Sequence, residues 1–313
     1  MKLYPLKFHI IDKPKIWGRE QWLVSAYGDD VSVAANGYLA DNDLNELVEV
    51  YMADLVGDHV YEQYGNLFPL LIKTIDAQEK LSMQVHPNDE VALDKHGALG
   101  KDEMWYVTHC EPDAKMVLGF NQDTSREMVK AHLEAGTFES LINEVIVKQG
   151  DAIALPAGLL HTIYGGIQVI EIQETSDLTY RLYDYNRSGL DGKQRQLHVN
   201  EALDVLNYKH NKQPIVDYEH KETGVVNLVQ NSHFTANLLT FCHPIGRNYF
   251  LLDSFVIYIC AQGSAWLLAD NYMENGQPLL LNKGEAILLP ATTEDVVLTP
   301  NGNDVQIIET YIP

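Results

Sequence analysis

A chain of 313 residues, 46% of them apolar, has material for more than one hydrophobic core, and two domains is the natural expectation. Its 22 lysines and arginines stand against 44 aspartates and glutamates, a formal net charge of −22, which argues against nucleic acid or an anionic membrane as partner. A small anion is still admissible where cations cluster, because charges farther apart than roughly 8 Å are largely screened.

From the N-terminus, Asp12 and Pro14 interrupt any apolar run that could serve as a signal peptide. No later stretch approaches the ~18 apolar residues of a membrane span. Cys110, Cys242 and Cys260 are odd in number and widely spaced, as expected for free thiols in a reducing compartment. The expected location is cytoplasmic. Residues 42–64 read as helix, because Leu44, Leu47, Val48, Tyr51 and Leu55 recur at three- and four-residue steps. After Pro69 the texture changes to short β-branched and aromatic runs at 69–75, 81–86, 103–108 and 114–119. A second helical patch is expected over 124–144, and strands resume at 151–155 and 167–173. The polar segment 208–223 reads as a domain boundary. Beyond it the pattern is almost purely β: 225–229, 234–241, 249–259, 264–269, 278–281, 286–289 and 304–311. Many short strands with turns point to antiparallel sandwiches or barrels.

Two heptapeptides, GDAIALP from Gly150 and GEAILLP from Gly284, share a glycine turn, a buried strand and a proline exit. They point to two related halves. Only the first continues to Gly158 and His161; the second continues to Thr292 and Asp295.

The chemistry-bearing residues lie in the first half. In the run from Leu81 to Pro87, alternation puts Ser82, Gln84 and His86 on one face. Glu103 opens another strand, and His161 precedes the strand that follows Gly166. Two imidazoles and a carboxylate suit zinc, and an open coordination position would mark a catalytic site. The same set also holds iron(II). The Gln84 amide oxygen would be a weaker ligand. Glu171 falls on the face of Ile167 and Val169, where a carboxylate needs a partner or a raised pKa. Lys73, in an apolar run, is either a snorkelling lysine or a phosphate contact. The cations Arg181, Arg187, Lys193 and Arg195 form a dense cluster for so acidic a chain. Arginine suits bidentate recognition of phosphate, although Lys193 and Arg195 also fit an ordinary surface loop.

Several motifs together resemble the class I mannose-6-phosphate isomerases, a family of the cupin superfamily. They are Lys15-Ile16-Trp17-Gly18, Gln84-Val85-His86-Pro87-Asn88, Lys101-Asp102-Glu103, Pro156-Ala157-Gly158-Leu159-Leu160-His161 and Ser176-Asp177-Leu178-Thr179-Tyr180-Arg181. The run from Tyr180 to Arg187 is similar to the short bacterial form. Arg19 stands where the family has a second glycine. The resemblance implies a mainly β fold of two cupin-type (jelly-roll) barrels with a few helices around the first. Residues 1–215 would form the catalytic metal-binding domain and 216–313 a metal-free C-terminal domain. It implies one Zn²⁺ per chain held by Gln84, His86, Glu103 and His161, with Arg181, Lys101, Glu171 and Asp177 as catalytic residues. The expected reaction is reversible aldose–ketose isomerisation of mannose 6-phosphate. No nucleotide cofactor is expected, the partner is a small sugar phosphate, and a monomer is plausible. A metal-dependent cupin oxygenase and a non-catalytic sugar-binding cupin are the alternatives.

Overall fold

The computed structural model describes residues 2–302 and 304–313. The chain is mainly β, with a few short helices. It divides into two compact units, one of residues Asp12–Gln21 and Ile72–Val216, the other of the segment ending at Ile11, Trp22–Leu71 and Asp217–Pro313.

The first unit contains two facing sheets. One runs in the order Ile11–Lys15, Gly18–Val24, Leu70–Ala77, Ile167–Glu174, Glu103–Cys110, Ala152–Leu155. The other runs Tyr180–Tyr183, Met83–Val85, His161–Ile163, Lys115–Phe120, Ile142–Ile146. Inward side chains meet between them: Trp105, Val107, Ile153 and Val169 from the first sheet, Met116, Leu118 and Ile163 from the second. Burying each such side chain contributes about 1.5–3 kcal/mol, and the alternation of strand residues puts them there.

The second unit repeats the plan. Its sheets run Gly224–Gln230, Thr235–Phe241, Val305–Tyr311, Val256–Gln262, Ala286–Leu289 and Ile245–Asn248, Asp295–Pro300, Ser264–Ala269, Leu279–Asn282. The GDAIALP and GEAILLP strands occupy the same edge, Leu155 opposite Glu103 and Leu289 opposite Val256. The heptapeptide repeat is therefore a repeat of strand order. Among the described residues the sheets stay open instead of closing into barrels: each unit is a sandwich, held face to face by its apolar layer.

Some elements differ from the sequence pattern. The 42–64 stretch is two helices, Leu44–Val56, kinked at Met52 with φ 46°, and Asp58–Tyr64, separated at Gly57. Asp43 and Glu46 form a capping box at the first. Both helices belong to the unit that contains Asp217–Pro313. There the Asp253 carboxylate accepts the N–H groups of Asp58 and His59, and Phe255 N–H donates to the Val56 carbonyl. The 124–144 patch is a helix only over Arg126–Glu134; left-handed Gly136 ends it, and Ile142–Ile146 is a strand paired with Lys115–Phe120. The short helices Asp89–His96 and Val199–Val205 are too brief for a hydrophobic period to announce them. Cys110, Cys242 and Cys260 are not disulfide-bonded. No described helix is long and apolar enough to cross a membrane.

Candidate active site

Three local features bring the site together. Gly18 runs so close to the Asp76 carbonyl that a Cβ would sit 2.0 Å from its oxygen, which explains the glycine after Trp17 and seats the Trp17 loop against the Leu70–Ala77 strand. Gly158 has φ +87°, and a Cβ there would meet the Val205 carbonyl oxygen at 2.8 Å. Its N–H donates to the His86 carbonyl at 2.9 Å, so the loop after Pro156 delivers His161 opposite Gln84. Finally, Lys101, Glu103 and Trp105 are spaced two residues apart and share one face.

The His86 and His161 Nε2 atoms stand 3.1 Å apart, and Glu103 Oε1 lies 3.7 Å and 3.2 Å from them. Each imidazole gives its Nδ1 side to a main-chain carbonyl, Leu178 at 2.7 Å and Leu159 at 2.8 Å. With Nδ1 as donor, each neutral ring turns an Nε2 lone pair toward the other. Burial pushes the His161 pKa down to about 4 and that of His86 well below its ordinary value, so both rings are neutral near pH 7. Glu103 Oε1 is buried and accepts no hydrogen bond from the described residues. Two imidazole nitrogens and a carboxylate oxygen thus converge on one point with only the Lys101 ammonium, 3.3 Å from His86 Nε2, beside them, an arrangement that a further cation would stabilise. Separations of 3.1–3.7 Å match the edges, about 3.4 Å, of a tetrahedral site with ~2.1 Å bonds. The residues present fit a divalent metal ion. Gln84 is adjacent: its Nε2 is 3.5 Å from His161 Nε2 and its Oε1 accepts from Ser82 Oγ at 3.2 Å. A half-turn of the amide would present the oxygen to the imidazoles instead.

Beside this group lies a cavity of ≈ 230 Å³. Lys101, 3% exposed, reaches Glu103 Oε2 at 2.8 Å, His86 Nε2 at 3.3 Å and Glu171 at 3.9 Å. Lys73 is 2% exposed and stands 3.3 Å from Glu171, 3.8 Å from Asp177 and 3.9 Å from Glu20. Burial opposes the charge on both lysines, but the neighbouring carboxylates outweigh it and raise both pKa values. Burial likewise opposes ionisation of Glu171; Lys101, Lys73 and the Trp105 indole N–H, 2.6 Å away, hold its pKa at about 2. Burial lifts the Glu103 carboxyl to about 7 even against Lys101. Four carboxylates around two ammonium groups leave this cluster anionic. The cavity is also lined by Arg181, Arg195, His198 and Ser82. Arg181 Nε donates to Ser82 Oγ at 3.3 Å and its Nη1 to the Gln196 carbonyl at 2.9 Å.

Of the residues singled out in the sequence, Gln84, Lys101, Glu171, Asp177 and Arg181 line the cavity. His86, Glu103 and His161 are buried beside Lys101 and Gln84. Lys73 lines the cavity at the centre of a buried ion cluster, so it is not a snorkelling lysine. Arg195 lines the cavity, Arg187 pairs with Asp184, and Lys193 is exposed. Lys15 and Thr179, members of the resembling motifs, also line it, as do Glu20 and His198, which had not stood out. For Glu20 the available signal is a carboxylate two residues before Trp22 on an alternating strand, which is weak.

A β-sandwich with a buried His–Glu–His group, beside a polar cavity lined by two arginines, defines a metal-centre enzyme for a small anionic substrate. Comparison with known proteins makes the assignment particular. Residues 7–102 match the model for the phosphomannose isomerase type I catalytic domain. The probable mannose-6-phosphate isomerase GmuF of Bacillus subtilis is 33% identical over 313 residues, covering 92% of this chain and 94% of that protein. Mannose-6-phosphate isomerase ManA of the same organism is 38% identical over 224 residues, 66% of this chain and 69% of that one. The crystal structure of a B. subtilis mannose 6-phosphate isomerase superposes with a TM-score of 0.86 at 27% identity, over 98% of this chain and 99% of that one. The chain belongs to the type I phosphomannose isomerases.

Proposed function

We propose that the cavity interconverts mannose 6-phosphate and fructose 6-phosphate, with one zinc ion held by His86, Glu103 and His161 and Gln84 as a weaker fourth ligand. The observation that carries this reading is the convergence of two neutral imidazoles and an orphaned carboxylate oxygen beside a cavity lined by two arginines. When bound, such an ion acts as a Lewis acid toward oxygens that gain charge during enolisation. Iron(II) would accept the same ligands, but the lysine, carboxylate and arginine lining suits a polyhydroxylated anion better than the apolar pocket an oxygenase needs.

The phosphate goes to Arg181, Arg195 and Ser82 and supplies binding energy remote from the reacting carbons. The link Arg181–Ser82–Gln84–His161 sets its distance from the metal ligands. Lys101 stays an ammonium and gives a fixed positive charge and a proton donor next to the reacting oxygens. Glu171, held ionised by two lysines and an indole, is a weak base that orients hydroxyl groups. Asp177 has a side chain 44% exposed and a lysine 3.8 Å away. Compared with Glu171 it is freer to carry the proton between neighbouring carbons.

The division of labour follows: chemistry in the unit of 12–21 and 72–216, and a metal-free sandwich in the C-terminal segment. Both sandwiches are read as cupin-type jelly rolls, and the enzyme as cytoplasmic and active as a monomer. The test is metal analysis with an isomerisation assay before and after chelation. About one zinc per chain, with activity lost on chelation and restored by zinc, is expected. A metal-replete protein that does not isomerise mannose 6-phosphate overturns the reading.

A further inference from the structure

The strand Tyr180–Tyr183 ends in a turn whose central residues, Tyr185 and Asn186, have φ of 55° and 56°. Arg187 N–H donates to the Asp184 carbonyl at 3.0 Å and closes it. Two successive left-handed residues make a type I′ turn, which ordinarily takes glycine or asparagine. A tyrosine held there is backbone strain that the surroundings must offset. Tyr183 meets the Tyr185 ring edge-on at 5.0 Å, and the Arg187 guanidinium stands 5.1 Å from its centre.

What fixes the turn also fixes the cavity. The Asp184 carboxylate, 4% exposed, accepts from Arg187 Nη2 at 2.6 Å and from Arg195 Nη1 at 3.1 and 3.2 Å. Arg195 lines the cavity next to Arg181, and the His198 N–H ties the returning segment to the Arg181 carbonyl at 2.8 Å. Burial and the Arg195 charge press the Arg181 pKa downward, against the opposing pull of the Asp184 and Asp177 carboxylates. We propose that Asp184 is a positioning residue for phosphate recognition: it holds Arg195 beside Arg181 so that the two guanidiniums form one anion clamp. This rests on the sugar-phosphate reading above.

Asp184 has two opposing effects on an incoming phosphate. Its charge subtracts from the attraction, while its hydrogen bonds set the direction of the Arg195 fork. Its charge is already balanced by Arg187 and Arg195, whereas bidentate recognition fails when the fork turns, so the geometric effect dominates.

The experiment uses zinc-loaded enzyme and the Asp184→Asn variant, with steady-state kinetics on mannose 6-phosphate and calorimetric titration with inorganic phosphate. The expected result is a rise of about tenfold or more in both KM and the phosphate Kd, with kcat within about threefold and metal content unchanged. Unchanged KM and Kd overturn the proposal. So does tighter phosphate binding, which would make Asp184 only a diluting charge, and so does a fall in kcat at constant KM. If Asp184→Asn does not fold, Arg195→Lys keeps the charge and removes the fork; the same rise in KM supports the clamp, and an unchanged KM overturns it. Wild-type protein that binds phosphate without isomerising refutes the functional reading and leaves the clamp. A variant that isomerises with unaltered phosphate binding does the reverse.

Discussion

Glu171 and Glu309 occupy the same place in the two sandwiches, one opposite Trp105 and the other opposite Tyr258. Both are buried, and each needs a cation. Glu309 has one built in: Arg247 Nε and Nη2 reach its two oxygens at 2.8 and 2.9 Å, and Asn237 and the Tyr249 hydroxyl complete the set. Arg247 comes from Ile245–Asn248, the strand that stands where Met83–Val85 stands in the first unit. The remaining positions have turned apolar. Val256 replaces Glu103 opposite the edge-strand leucine, and the Asp295–Pro300 strand turns Val296 and Leu298 into the core. In the first unit lysines hold Glu171 while Glu103 Oε1 and two imidazoles are left facing one another. Both corresponding glutamates thus have side-chain cations, and the two sandwiches part at Glu103, a buried carboxylate beside two imidazoles where the other unit has Val256.

The sharpest break of this comparison is His161→Ala, which removes one of the three proposed ligand atoms. It should lower activity by about 10⁴-fold and abolish stoichiometric metal, whereas Val296→Ala in the other unit should leave both unchanged; metal analysis and turnover decide. Next comes Arg247→Ala. A buried carboxylate stripped of its partner costs about 3–5 kcal/mol, to be read as a lowered urea midpoint while kcat and bound metal persist. A variant with an unaltered midpoint would show that Glu309 does not depend on Arg247. The smallest effect is a matched pair. Trp105→Phe deletes the 2.6 Å bond to Glu171, a bond to a charged group worth ~1.5–3 kcal/mol, and should cut kcat roughly ten- to hundredfold. Tyr258→Phe should leave kcat alone. Equal losses of kcat would mean that the two glutamates do not differ in role.

Alternation and spacing carried much of this. Gln84 and His86 on one face, Glu103 at a strand start and His161 after Gly158 were all visible in one dimension, because each is local to its own strand. The β character of the second half was legible for the same reason, as was the heptapeptide repeat. Lys73 was not: whether a lysine in an apolar run snorkels or anchors an ion cluster depends on Glu20, Glu171 and Asp177, which come from other elements. The Ile245–Asn248 and Asp295–Pro300 strands escaped notice because Arg247, Asn248 and Asp295 break their apolar pattern. The placement of the 44–64 helices with the Asp217–Pro313 segment depends on Asp253 and Phe255, almost two hundred residues away, and no local period encodes it.

The three lone pairs of His86, His161 and Glu103 also bear on how the enzyme persists. Their mutual exposure exists only in the folded chain, so an ion that fits them binds the native state in preference to the unfolded one. Free ion at a hundred times its dissociation constant would add about 2.7 kcal/mol to the folding equilibrium. The resistance of the fold to heat and denaturant would then rise with the supply of metal, so the ion would be read in the melting point as well as in the activity.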